Sequence, residues 1–401
     1  MQTGRTIASL MLGVTLVAAS SSGAGAADDP LSGVDETLRR AATQILATAA
    51  PGDPLKVVTT TRTSGAPKIT TDVASTRSDA LSLILSGLRK PSTIGVDIAH
   101  KVSIDASNDT YRARQWALTR LGAESAWRTS SGRGVVVAVI DTGVKAVHAD
   151  LKGQVLAGRD YVAPGTSASD ANGHGTHVAG VIAALTNNRR GIAALAPGSR
   201  ILPVRVLDAR GVGDSANVAK AIVWAVDRGA KVINLSLSSN RADSAGRAAV
   251  AYALSKNVVV VAAAGNSGCP LLLGAPTSYP AAYDGVLGVG AITSAGAVAS
   301  YSSCGNWVDV VAPGSNILST VPTSPNASLG CPAHYCTLSG TSMAAPHVAA
   351  TAALQISRLG SAARQATVRS LIQSTADDIG ASGYDTRAGY GVINPRRMLS
   401  R

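Results

Sequence analysis

Three short segments carry side chains that could act together on a carbonyl group. Asp141 closes an apolar run, Gly-Val-Val-Val-Ala-Val-Ile at 134–140, where a lone carboxylate is costly unless it is hydrogen-bonded. His174 stands between two glycines in Asp-Ala-Asn-Gly-His-Gly-Thr-His at 170–177, where backbone can pack closely against a substrate. Ser342 lies where the small, turn-prone residues of 337–341 pass into an Ala-rich run of good helix propensity. A hydroxyl there is near unpaired backbone N–H groups and the positive end of a helix dipole, which suits a nucleophile whose attack makes an oxyanion. Taken alone, Ser342 reads as an N-cap. Together, an Asp, a His and a Ser at junctions between loops and regular elements have the parts of a nucleophilic triad.

The elements that must hold these residues alternate along the chain. Strands are predicted at 134–140, 200–207, 231–237, 258–264 and 286–292, and helices at 179–185, 215–228 and 242–256. Strand–helix alternation argues for an α/β fold, a doubly wound and mostly parallel sheet flanked by helices, with its site at the carboxyl ends of the strands. Gly285-Val-Leu-Gly-Val-Gly290 neither follows a predicted strand nor opens a helix, so it is not read as a nucleotide loop.

Composition agrees. The chain has 401 residues, 46% hydrophobic and 15% charged, with no Phe, so the core must be built from Val, Ile, Leu and Ala, as in a sheet covered on both faces. The net charge is +12, yet Lys and Arg are scattered without a dense basic run, and no nucleic-acid partner is expected. Residues 1–26 read as a secretory signal: Arg5, an apolar stretch at 7–19, and the small-residue site Ala24-Gly25-Ala26. That stretch is too short to span a bilayer, so no membrane anchor is expected. Export makes Cys269, Cys304, Cys331 and Cys336 disulfide candidates. The favoured pairs are Cys331–Cys336, as a short staple, and Cys269–Cys304; no Cys-x-x-Cys spacing favours zinc. Residues 27–107 form a separate small α+β unit, with strands at 55–62 and 94–104 and a helix at 79–88. It holds no catalytic constellation, and its His100 reads as structural.

Three motifs, Val-Ala-Val-Ile-Asp-Thr-Gly-Val (137–144), Gly-His-Gly-Thr-His-Val-Ala-Gly (173–180) and Gly-Thr-Ser-Met-Ala-Ala-Pro-His-Val-Ala (340–349), resemble the Asp, His and Ser signatures of the subtilisin-like serine proteases. A fourth, Val-Val-Val-Ala-Ala-Ala-Gly-Asn (259–266), is similar to that family's oxyanion segment. The resemblance covers residues 108–401. Asn108-Asp109, Gln115-Trp116 and Thr186-Asn-Asn188 are most similar to the thermitase branch. An esterase-type hydrolase is disfavoured, because the order Asp–His–Ser differs from that of the α/β-hydrolases and the Gly-x-Ser-x-Gly elbow is absent.

The resemblance implies a secreted serine endopeptidase, made as an autoprocessed precursor and working as a monomer. Ser342 would be the nucleophile, His174 the base, Asp141 its partner and Asn266 an oxyanion donor. His148, His177, His334 and His347 are expected to be structural. Gly211 and Gly213, with Ser236, Leu237 and Ser238, would hold an extended polypeptide substrate as an added strand; Ser238 stands where many relatives have Gly. Tyr279-Pro280 is similar to the family's cis-proline turn. The resemblance also implies one Ca2+ site, with Asp109, Asp150 and the Asn188 side-chain carbonyl joined by the backbone carbonyls of Leu185, Arg190 and Ile192. Of a second acidic cluster only Asp160 survives, beside Ala163 and Gly165. Residues 27–107 would be an inhibitory pro-domain, cleaved near 105–108.

Overall fold

The computed structural model describes residues 33–49, 55–99, 107–270, 274–324 and 329–401. The expected leader at 1–26, His100, and residues 105–106 of the expected cleavage segment lie outside them. The chain divides into two compact units, Met1–Ser103 and Ile104–Arg401.

In the first unit, Asp35 accepts from Thr37 and Leu38 N to start α1 (Glu36–Ala47). There follow β1 (Lys56–Thr61), β2 (Lys68–Val73), α2 (Arg77–Leu88) and β3 (Thr93–Ile98), with a Thr76–Asp79 capping box opening α2. The strands pair antiparallel in the order β2-β1-β3 and cover a core that includes Ala42, Val57, Ile84, Val96 and Ile98. The expected strand at 94–104 is described only as far as Ile98. Strand β2 escaped sequence reading because every residue in it is exposed, so no apolar alternation marks it.

The second unit begins with α3 (Trp116–Leu121) and α4 (Ala123–Trp127), and then alternates: β4 (Val136–Asp141), β5 (Arg159–Asp160), α5 (His174–Ala183), β6 (Arg200–Arg205), α6 (Ser215–Asp227), β7 (Val232–Leu235), α7 (Ser244–Ser255) and β8 (Val259–Ala263). It ends with β9 (Leu287–Ile292), β10 (Val310–Pro313), β11 (Ile317–Thr320), β12 (Tyr335–Leu338), α8 (Thr341–Leu359), α9 (Gln365–Ser374) and α10 (Pro395–Leu399). Seven strands form one parallel sheet, ordered β10-β9-β8-β7-β4-β6-β5. The glycine-rich 285–290 run lies largely in β9, as a strand.

Strand pleating divides the core. Val137 and Val139 pack with α5 and α8 residues such as Val178, Ile182 and Val348. Ala138 and Ile140 pack on the other face with Ile222 and Val250 of α6 and α7. Residues buried on both faces read as a continuous apolar run, which is why β4 and β8 were legible. After β4 the chain pairs first with β6 on one side, then returns to add β7 on the other. The strand order therefore reverses at β4, and a crevice opens at its carboxyl end. Asp141 is the last residue of β4.

Candidate active site

Asp141 is completely buried. Its Oδ1 accepts from Thr142 N at 2.7 Å and meets His174 Nδ1 at 2.8 Å, while Oδ2 has no partner. His174 opens α5 and keeps 21% of its side chain exposed, so one edge of the ring is available to a substrate. Close packing requires the glycine that follows. A Cβ on Gly175 would lie 2.2 Å from Gly143 O and 3.1 Å from Asp141 Oδ1.

The loop that presents His174 is tied down by Asp170, which sequence reading passed over. Its Oδ1 accepts from Thr142 Oγ1, Asn172 N and Gly173 N, and its Oδ2 from Thr176 N and Oγ1. Thr142 Oγ1 in turn accepts from Gly175 N at 2.9 Å. One carboxylate thus fixes both the turn after Asp141 and the first turn of α5. Burial pushes the Asp170 carboxyl up from its usual range, against these hydrogen bonds. An aspartate just ahead of a predicted helix is a cap signal that could have flagged it.

Burial alone would lower the His174 pKa, but the charge and hydrogen bond of Asp141, with a smaller contribution from Asp170, raise it above the usual value. The other buried histidines go the opposite way. Burial holds His177 at about 3 and His347 at about 4. His177 Nε2 lies 2.9 Å from Ile317 O, and His347 Nδ1 donates to Met343 O at 2.9 Å. His148 is also lowered by burial. These three rings are neutral packing and hydrogen-bonding groups, in line with the structural role expected of them.

Ser342 is the second residue of α8, whose N-cap is Gly340, so the serine is not a cap. Its Oγ donates to Ser236 O at 3.2 Å. The reciprocal contact explains a proline in the first turns of a helix. Pro346 has no N–H, so the Ser342 carbonyl lacks its i+4 donor; Ser236 Oγ supplies one at 2.8 Å, itself accepting from Asn234 Nδ2 at 2.9 Å.

Asn266 follows β8. Its Oδ1 accepts from Thr341 N at 2.9 Å and from Thr341 Oγ1 at 3.0 Å, which leaves the amide NH2 to point elsewhere. A Cβ placed on Gly340 would lie 3.5 Å from Asn266 Nδ2 and 3.7 Å from Ser342 N, so the two donors flank one small space.

His174 also lines a cleft of about 760 Å³. Gly211, Gly213, Ser236, Leu237 and Ser238 all line the same cleft, joined by Val218, Ile222, Tyr279 and Tyr283. The Tyr279–Pro280 bond is cis, and Ser239 and Tyr279 exchange both backbone hydrogen bonds, which sets that turn against the 236–239 segment. Arg210 is held by Asp208 at 3.0 Å.

The chain's relatives decide what this arrangement is. A family model described as the subtilase family matches residues 132–391. It belongs to the subtilase family. Among similar proteins, a thermophilic serine proteinase of a Bacillus species is 45% identical over 72% of this chain and 67% of its own length. Thermitase of Thermoactinomyces vulgaris is 44% identical over 73% of this chain and 98% of its own length. A solved protease structure from Pseudoalteromonas arctica superposes with a TM-score of 0.66 at 32% identity, covering 74% of this chain and 99% of that one. This subtilase is thus a serine endopeptidase of the thermitase branch acting on polypeptides, and the parallel sheet is the family's fold.

Away from the cleft, both disulfides form as expected, Cys269–Cys304 and Cys331–Cys336. The residues expected to hold calcium are linked by hydrogen bonds through the 185–192 loop. Asp109 accepts from Ser107 Oγ, Asn187 N and Asn188 N. Asp150 accepts from Asn188 Nδ2 at 2.9 Å, Ile192 N at 2.9 Å and Tyr335 Oη at 3.1 Å. Asn188 faces Asp150 with its NH2 rather than its carbonyl, which accepts from Arg190 N; a carboxylate attracts the amide donor. Asp160, by contrast, is paired with Arg205 at 3.0 Å and accepts from Val162 N, Ala163 N and Thr166 Oγ1. Arginine supplies the positive charge at that second locus. Among the described residues no three His, Cys, Asp or Glu side chains gather at one point, and no helix is long and apolar enough to cross a membrane.

Proposed function

We propose that this subtilase cleaves peptide bonds through Asp141, His174 and Ser342. The observation that carries this reading is the 2.8 Å contact of His174 Nδ1 with buried Asp141, in a cleft walled by the residues expected to bind peptide. Because Nδ1 is engaged by Asp141, Nε2 is the nitrogen that acts on substrate. The Ser342 hydroxyl turns from Ser236 O toward His174, gives up its proton and attacks the scissile carbonyl. Asn266 Nδ2 and Ser342 N donate to the oxyanion, His174 protonates the leaving amine, and a water activated by the same ring then hydrolyses the acyl-enzyme. Substrate lies extended between 211–213 and 236–238, bound mainly through main-chain hydrogen bonds.

The precursor is read as a leader at 1–26, an inhibitory pro-domain at 27–107 and a peptidase domain at 108–401, secreted and matured by its own activity near 105–108. N-terminal sequencing of protein recovered from the medium tests this; a chain beginning at residue 27 would contradict it.

Calcium fits the loop that joins Asp109 and Asp150. Both carboxylates are buried, neither has a basic partner among the described residues, and the ligands expected beside them are carbonyl oxygens, which suits a hard cation. The loop carbonyls support the same reading. Those of Ala184, Arg189, Gly191 and Ala193 each accept a hydrogen bond; those of Thr186, Asn187 and Asn188 accept none among the described residues, and neither do the three expected as ligands, of Leu185, Arg190 and Ile192. Asp109, Asp150 and these three carbonyls would hold the ion, with Asn188 turning its amide to present the carbonyl. Calcium would neutralise the buried charge and cross-link the loop.

The function is tested by comparing casein digestion with hydrolysis of a small ester. We expect both, and both lost in Ser342→Ala. Ester hydrolysis without casein digestion would identify an esterase, and neither activity a binding protein.

A further inference from the structure

The short loop closed by Cys331–Cys336 reaches the calcium loop rather than the cleft. Tyr335, inside it, donates its hydroxyl to Asp150 Oδ2 at 3.1 Å. Its ring packs edge-on against Tyr111, with centroids 5.1 Å apart, and against His148 at 5.3 Å. His148 adds a second link: Nδ1 accepts from Asp150 N at 3.1 Å, which leaves Nε2–H to donate to His334 O at 2.9 Å. On the opposite side stands Gly191, where any Cβ would fall 2.0 Å from Asp150 Oδ2 and 2.1 Å from the Tyr335 hydroxyl. The hydroxyl therefore occupies space that the chain has kept open for it. Beyond Tyr335, Cys336 O lies 3.2 Å from His177 Nε2, and β12 runs on toward Ser342.

We propose that the Cys331–Cys336 loop is a clasp on the calcium site, in which Tyr335 is a positioning residue that holds the Asp150 carboxylate in its ligating orientation. This rests on the calcium reading above. A carboxylate free to swing must be ordered when the ion binds, and a fixed hydrogen-bond partner removes that cost; outer partners of this kind change metal affinity about 10–100-fold. The disulfide acts one step further out by limiting the conformations of the four residues that carry the hydroxyl.

The test titrates calcium alone into secreted protein that has been blocked with phenylmethylsulfonyl fluoride and stripped of metal, with binding followed by calorimetry and melting. Tyr335→Phe, which removes one oxygen and keeps the ring, should weaken calcium binding about tenfold and shrink the calcium-induced rise in melting temperature. The double variant C331S/C336S should weaken it in the same direction, and C269S/C304S should not. If the double variant does not fold, Tyr335→Phe carries the test. A packing role alone would lower the metal-free and calcium-loaded melting temperatures equally and leave the affinity unchanged, which would overturn the clasp. Wild-type protein that binds no calcium would overturn the calcium site and the clasp with it; wild-type binding matched by Tyr335→Phe would overturn the clasp alone.

Discussion

Asp141 and Asp150 are both completely buried, yet the two regions around them are built for different charges. Asp141 spends its one bonded oxygen on a backbone N–H and an imidazole and leaves the other bare. Asp150 uses both oxygens on an amide, a backbone N–H and a phenol. The first has a partner that can take up a proton and so become its counter-charge. The second has only neutral donors, which is why calcium is proposed beside it. Asp160 completes the series, because Arg205 gives it a permanent cation. Residue type and burial are the same in all three; what differs is the partner, an imidazole for Asp141, neutral donors alone for Asp150 and a guanidinium for Asp160.

The comparison breaks most completely if the nucleophile is wrong. Ser342→Ala should lower kcat by about 10⁶-fold, the scale on which such triads fail, measured on a chromogenic peptide; a loss of only tenfold would remove Ser342 from the mechanism. Asp141→Asn should lower kcat by about 10⁴-fold and also move the acid limb of the pH profile. The sign follows from Asp141 favouring the imidazolium. In the wild type, His174 is protonated and inactive below its raised pKa, so kcat/KM should climb with pH above the ordinary value of about 6.5 to an alkaline plateau. Without the carboxylate charge the limb should move to lower pH. Because His177 and His347 stay neutral down to about 3 and about 4, neither contributes to that limb. A rate maximum in acid would contradict the assignment.

Asn266→Ala should cost about 10²–10³ in kcat with little change in KM if its amide donates to the oxyanion, a charge that exists only during reaction. The smallest effect belongs to the metal. Chelation should remove about 2.7 kcal/mol if calcium stands a hundredfold above its Kd, lowering Tm on the order of 5 °C. An unchanged melting curve would put Asp109 and Asp150 alongside Asp160, as carboxylates satisfied by protein alone.

Much of this was legible in the sequence, for physical reasons. Strands such as β4 and β8 are apolar on both faces, and the segments around Asp141, His174, Asn266 and Ser342 place unusual side chains at element ends. What the sequence concealed depends on chain returning from far away. Asp170 binds five donors, two of them on Thr142 and Thr176 side chains, and only the folded loop shows its reach. Ser236 matters to Ser342 because Pro346 leaves a carbonyl without a donor, a relation among three separated residues. Tyr335 reaches Asp150 across 185 positions of chain, and no local pattern announces it. Strand β2 was missed for the opposite reason, since an exposed edge buries nothing that could be read.

The central claim is that Ser342 is the nucleophile activated by His174 on Asp141. Purified enzyme treated with phenylmethylsulfonyl fluoride and mapped by peptide mass spectrometry tests it most directly. Inactivation should follow the addition of one sulfonyl group, found on the peptide that carries Ser342. Inactivated enzyme with Ser342 unmodified, or with the label on another residue, would contradict it.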